Sequence, residues 1–206
     1  MQKVIIIVAL FITSIATSQT KYELGMQKAL DLWGTNAIEA SQLFERISKA
    51  EPDNWLPPYY AAATLVFDGF SKLNDREALE AQLNKAQDLL NEASAISKDN
   101  PEIMVLQALL YTVYVASDGA TYGMTLSGKV MALYTQAEQI DPTNPRVVYN
   151  RAEWEIGGAR YFGQDTAPFC KNIERSIELF ANFKPESEFH PNWGRERAEE
   201  ALKACK

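Results

Sequence analysis

One small residue recurs along this chain at a nearly fixed distance. Ala62, Ala108, Ala152 and Ala198 follow one another at intervals of 46, 44 and 46 residues. Each lies seven residues beyond the start of a segment, counted from Trp55, Pro101, Pro145 and Pro191. Three of those starts share a lead-in: Glu51-Pro52-Asp53-Asn54-Trp55, Ser97-Lys98-Asp99-Asn100-Pro101 and Asp141-Pro142-Thr143-Asn144-Pro145. A period of this length restricts a chain to an array of like units. Apolar residues inside the units fall at three-and-four spacing, as at Leu79, Leu83, Ala86, Leu90 and Ala93 behind a fair N-cap at Asp75, which predicts amphipathic helices rather than strands. Pro101 and Pro145 suit the first position of a helix, where a missing N–H costs nothing. Asp68-Gly69, Asp118-Gly119 and Gly163 punctuate the ends of the first helices, glycine being the usual stop. Each unit is therefore a helical hairpin, and hairpins that cannot bury their apolar stripe alone must stack.

The second helix of each unit carries its own signature, with spacings of four, three and five. It reads Ala40, Phe44, Ile47 and Pro52; Ala86, Leu90, Ala93 and Lys98; Val130, Tyr134, Ala137 and Pro142; and Ile173, Ile177, Phe180 and Pro185. With the small residue at the eighth position of the first helix, this pattern resembles the tetratricopeptide repeat, most closely over 134–152. It covers 21–206. The period of 44 to 46 exceeds that family's 34, so helices or turns must be longer, and the large apolar residue expected before the small one is replaced at Gln107 and Arg151. The resemblance implies an all-α, right-handed superhelix of hairpins over about 21–52, 55–98, 101–142 and 145–185, closed by a polar capping helix over 191–206. It also implies an exported protein of the Bacteroidetes type.

Residues 1–18 read as a secretory signal. Lys3 precedes an apolar run from Val4 to Ile12, and Ala16-Thr17-Ser18 supplies the small residues that a signal peptidase reads. The run is too short to span a bilayer comfortably, which takes about 20 residues, and no lipoprotein cysteine stands beside it. Cleavage before Gln19 leaves a single repeat domain over 19–206, with no membrane insertion expected, and takes the formal charge from -7 to -8. An acidic chain without a run of Lys and Arg is not expected to bind nucleic acid. The location expected is the periplasm, with secretion as the alternative.

Cys170 and Cys205 are the two cysteines of the chain, an even count that in an exported protein predicts a disulfide. Antiparallel helices turning near Ser187 bring them level, since they lie 17 residues before and 18 after it.

No catalytic signature is present: no phosphate-binding glycine loop, no zinc-ligand pair and no nucleophile elbow. His190, in Phe189-His190-Pro191-Asn192-Trp193, is the sole imidazole and reads as part of a turn. The carboxylate pairs Glu153 and Glu155, Glu186 and Glu188, and Glu199 and Glu200 read as solvated helix faces rather than glycosidase pairs. Gly157-Gly158 falls inside a predicted helix and reads as a close helix contact or a kink rather than as backbone open to a ligand. Trp33, Trp55, Trp154, Tyr111 and Tyr114 read mainly as packing residues. No enzyme, cofactor or metal is expected.

By the family resemblance, the first helices line a concave groove with positions two, five and nine inward. The groove residues are then Tyr59, Arg146, Tyr149, Glu153 and Arg195. Tyr and Arg are the types enriched at binding hot spots, so the expected partner is a protein or peptide and the expected role a scaffold or assembly factor. The alternative is a small-molecule or glycan-binding module of an envelope system.

Overall fold

The computed structural model describes residues 20–205; the signal-peptide reading of 1–18 lies outside them. The described residues form helices and turns without a strand. Four antiparallel pairs follow one another: α1 (Lys21–Trp33) with α2 (Ala37–Ala50), α3 (Leu56–Gly69) with α4 (Arg76–Ile96), α5 (Pro101–Ser117) with α6 (Gly119–Ile140), and α7 (Pro145–Tyr161) with α8 (Ala167–Asn182). A short α9 (Arg195–Lys203) packs on α8. The long period resides largely in the second helices, since α4 has 21 residues and α6 has 22.

The recurrent lead-ins are capping devices. Asn54 Oδ1 accepts from the Leu56 N–H at 3.1 Å, Asn100 Oδ1 from Glu102 at 2.9 Å, and Asn144 Oδ1 from Arg146 at 2.9 Å. Each satisfies an amide that the first turn leaves without a partner. The capped helices α3, α5 and α7 stack in order, α3 on α5 and α5 on α7. Ala62, Ala108, Ala152 and Ala198 are fully buried, so the recurrence marks positions packed against neighbouring helices. One continuous core runs through the first three pairs, and a smaller one joins α7, α8 and α9 through Tyr149, Ile156, Ile173, Phe180 and Ala198. Trp33, Trp55, Trp154, Tyr111 and Tyr114 are partly buried against the larger core.

Two local expectations are corrected. Gly157 and Gly158 sit in an unbroken α7, and a Cβ at either would meet nothing within 4 Å, so neither mediates a close contact. The cap helix begins at Arg195 rather than Pro191. Residues 183–194 are irregular, and at their end Gly194 turns the chain with φ of +108°, where a Cβ would lie 3.1 Å from the Phe180 ring.

That irregular segment closes the molecule. Phe189 packs edge-on against Tyr22 of α1, and its carbonyl accepts from the Tyr60 hydroxyl of α3 at 3.0 Å. The Trp193 indole N–H donates to the Tyr59 hydroxyl at 2.9 Å, and its ring stacks edge-on against Phe67. Further along, Phe183 lies under the Arg146 guanidinium of α7 at 4.4 Å. One segment thus touches α1, α3 and α7 on the face the first helices share. Behind it the Cys170–Cys205 disulfide, with Cα atoms 5.9 Å apart, ties the start of α8 to the end of the chain.

Candidate ligand-binding site

The closing segment decides what the groove residues can do. Tyr59 and Arg146 are wholly buried, so the expectation that they face an open groove is corrected: the chain's own residues lie on them. Arg146 makes a two-pronged ion pair with Glu102, Nε to Oε2 at 2.6 Å and Nη2 to Oε1 at 2.7 Å. Asn144 Nδ2 adds a third bond to Glu102 Oε1 at 2.6 Å. Glu102 and Arg146 hold equivalent places in successive repeats, each following the capping Asn by two residues. Stacked first helices bring such positions face to face, and the opposite charges there offset much of each other's burial cost through these bonds, although Arg146 Nη1 is buried without a hydrogen-bond partner. Tyr149 is buried in the smaller core. Glu153 is half-buried, and burial raises its carboxyl above the usual range, against the pull of Arg160 and Arg197. Arg195 is exposed on α9 and pairs with Glu199 at 2.9 Å. The structure therefore joins Tyr59 and Arg146 beneath the closing segment, sets Tyr149 and Glu153 elsewhere, and leaves Arg195 at the surface.

An open cavity lies beside that buried pair, at the end of the array where hairpin follows hairpin. Its volume is about 730 Å³, within the range that takes a drug-sized ligand. One wall is made by the linkers, including Lys98, Asn100, Asp141 and Thr143; the other by the end of α8 and the segment after it, including Asn182, Phe183, Lys184 and Glu186. Trp55, Glu102, Asn144 and His190 also line it. The repeated Asn caps fix the linker wall, since each ties its loop to a rigid helix end. A smaller cleft of about 150 Å³ at the opposite end is lined by Arg76, Tyr114, Asp118 and Tyr122 among others; it is spanned by the Arg76–Asp118 ion pair.

His190 stands between two aromatic rings. The Trp55 ring is 6.1 Å away and nearly perpendicular, and the Phe183 ring is 5.8 Å away. Its Nε2 is 3.9 Å from Glu102 Oε1, and its Nδ1 is 3.8 Å from Glu186 Oε2. Both distances exceed hydrogen-bond range. Burial lowers its proton affinity, and Arg146 acts in the same sense; Glu102 and Glu186 oppose them without prevailing. The imidazole is therefore neutral at pH 7. The sequence gives this residue a turn role, as a lone His in a Pro-flanked turn, and the structure does place it in the irregular segment after α8. Its neighbour Trp55 lies 135 residues away in the chain.

This chain shares its fold with a haemophore. The likeness is to the HusA haemophore from Porphyromonas gingivalis, with a TM-score of 0.79 and 20% sequence identity, over 93% of this chain and 96% of that one. At that identity the likeness is one of fold. No protein-family model matches the sequence, and no curated protein matches it. Among the described residues no helix is long and apolar enough to cross a membrane.

Proposed function

We propose that this protein is an exported binding module that holds a small amphipathic ligand in the cavity between its repeat linkers and its C-terminal segment, and that haem is the ligand class to test first. One observation carries the proposal: the face a peptide would need is covered by residues 183–194, whereas a cavity of about 730 Å³ beside it remains open. The cavity combines apolar rings, Trp55 and Phe183, with amides and charges of both signs, the mixture a ligand with a flat apolar body and polar edges requires. The fold shared with a haemophore supports the same choice. Export by cleavage before Gln19, a periplasmic location and membership of the tetratricopeptide-like exported proteins of the Bacteroidetes type belong to this reading. Intact mass of the protein from its native host checks the cleavage.

Haem titrated into the purified protein should quench tryptophan fluorescence saturably, because Trp55 lines the cavity. A Kd in the micromolar range, about -8 kcal/mol, is expected, and Trp55→Ala should weaken it. Quenching without saturation, together with a one-to-one complex selected from a peptide library, would return the protein to the scaffold reading.

A further inference from the structure

We infer that the Cys170–Cys205 disulfide is a redox latch on the cavity: closed, it holds the C-terminal wall against the linkers; opened by a dithiol reductant, it frees that wall and releases the ligand. This rests on the ligand-binding reading above and adds to it the regulation of the site.

Neither cysteine lines the cavity, so the latch acts at a distance, through three links. First, the two walls are held differently. The linker wall is fixed at Asn100 and Asn144, each capping a helix of the stacked array. The opposite wall, from Asn182 to His190, lies inside the loop of chain that the disulfide closes. Residues 184–188 of it are exposed, so the wall takes its position from what anchors it on either side. Second, one of those anchors is weak by itself. Helix α9 has nine residues and Ala198 is its one buried residue. Its ion pairs are internal, Arg195 with Glu199 and Lys203 with Glu200. So short a helix does not persist alone. With the disulfide open, the wall depends on the docking of Phe189 and Trp193 onto α3, and apparent affinity falls with the fraction of time that docking holds. Third, the bond is placed for exchange. Both cysteines are partly exposed, and Cys205 lies in the turn after α9. Cys170 is the fourth residue of α8, where a helix N-terminus stabilises a thiolate. A reductant thiolate that attacks Cys205 Sγ therefore expels Cys170 as the better leaving group. The reductant's second thiol then attacks the mixed disulfide and Cys205 leaves. Two electrons pass to the cysteines, and the reductant becomes a disulfide.

Metal-free protoporphyrin serves as the probe, because it carries no iron for a reductant or a free thiol to act on. It is titrated into oxidised wild type, reduced wild type and the Cys170→Ser/Cys205→Ser variant. Opening the bond should weaken binding at least about tenfold, equally in reduced wild type and in the variant. Reoxidation should restore binding in wild type alone. Hydrogen exchange should quicken at 183–194 while α3 and α5 keep their protection. Binding within about twofold of the oxidised protein, with both thiols shown free by alkylation and intact mass, overturns the inference and leaves the cavity reading standing. Loss of protection throughout the array overturns it too, since the bond is then a staple of the whole fold. If oxidised wild type binds neither this probe nor haem, the cavity reading falls and the latch falls with it.

Discussion

Arg146 illustrates how little residue type says about exposure. An arginine at an inward position invites a binding role, and the structure buries it completely against Glu102. Arg146→Ala and Glu102→Ala should each cost about 3–5 kcal/mol, because each strands the partner's charge in the interior. For a domain of this size that lowers the thermal midpoint by on the order of 10 °C. A joint replacement, Glu102→Leu with Arg146→Met, should recover most of the loss, since an apolar pair of similar volume needs no hydrogen bonds. Thermal and urea unfolding of the three variants check this. Single variants as stable as wild type would mean that the pair is open to water. Opposite charges 44 residues apart were visible in the sequence as a recurrence. Their burial was not, because what covers them is an aperiodic segment whose docking depends on contacts with Tyr22, Tyr59 and Tyr60, at least 129 residues away along the chain.

At the level of the helix, the sequence was read with more success, and the reason is physical. A helix crossing needs a small residue at a fixed phase, so stacked hairpins print that need at a fixed period. Ala62, Ala108, Ala152 and Ala198 did so, and all four are fully buried. Ala108→Leu should force α5 away from its neighbours and cost about 1–3 kcal/mol, measurable as a lower urea midpoint with an unchanged slope. A neutral result would mean that the crossing can repack. The terminal helix was less legible. Pro191 resembles Pro101 and Pro145 as a helix start, but the capping Asn that precedes those two is replaced by His190. Helix α9 instead begins after Gly194, in a conformation that only glycine adopts readily. The candidate site was least legible of all, since its walls come from three linkers and the segment that follows α8.

In the whole molecule, the disulfide and the closing segment act together. Cys170 and Cys205 bracket the closing segment, 35 residues apart. Replacing both by Ser should cost roughly 3–4 kcal/mol on the chain-entropy model for a loop of that length. The loss should fall first on the closing segment. Hydrogen exchange should therefore quicken at residues 183–205 before the core of α3 and α5 responds; uniform quickening would show that the array unfolds as one unit.

The hydrogen bonds from Tyr59 and Tyr60 to Trp193 and Phe189 have a mechanical meaning. A stack of hairpins that touch only their neighbours behaves as a spring, free to stretch and coil along its axis. Here the far end of the spring is fastened back across its early turns, as in a clasp. Stretching or uncoiling must break that fastening, so the array is stiff as a whole. Compliance is left to the linker loops and to the exposed Glu186 side chain beside them, at the mouth of the cavity. A ligand entering there would work against one soft rim rather than against the entire coil.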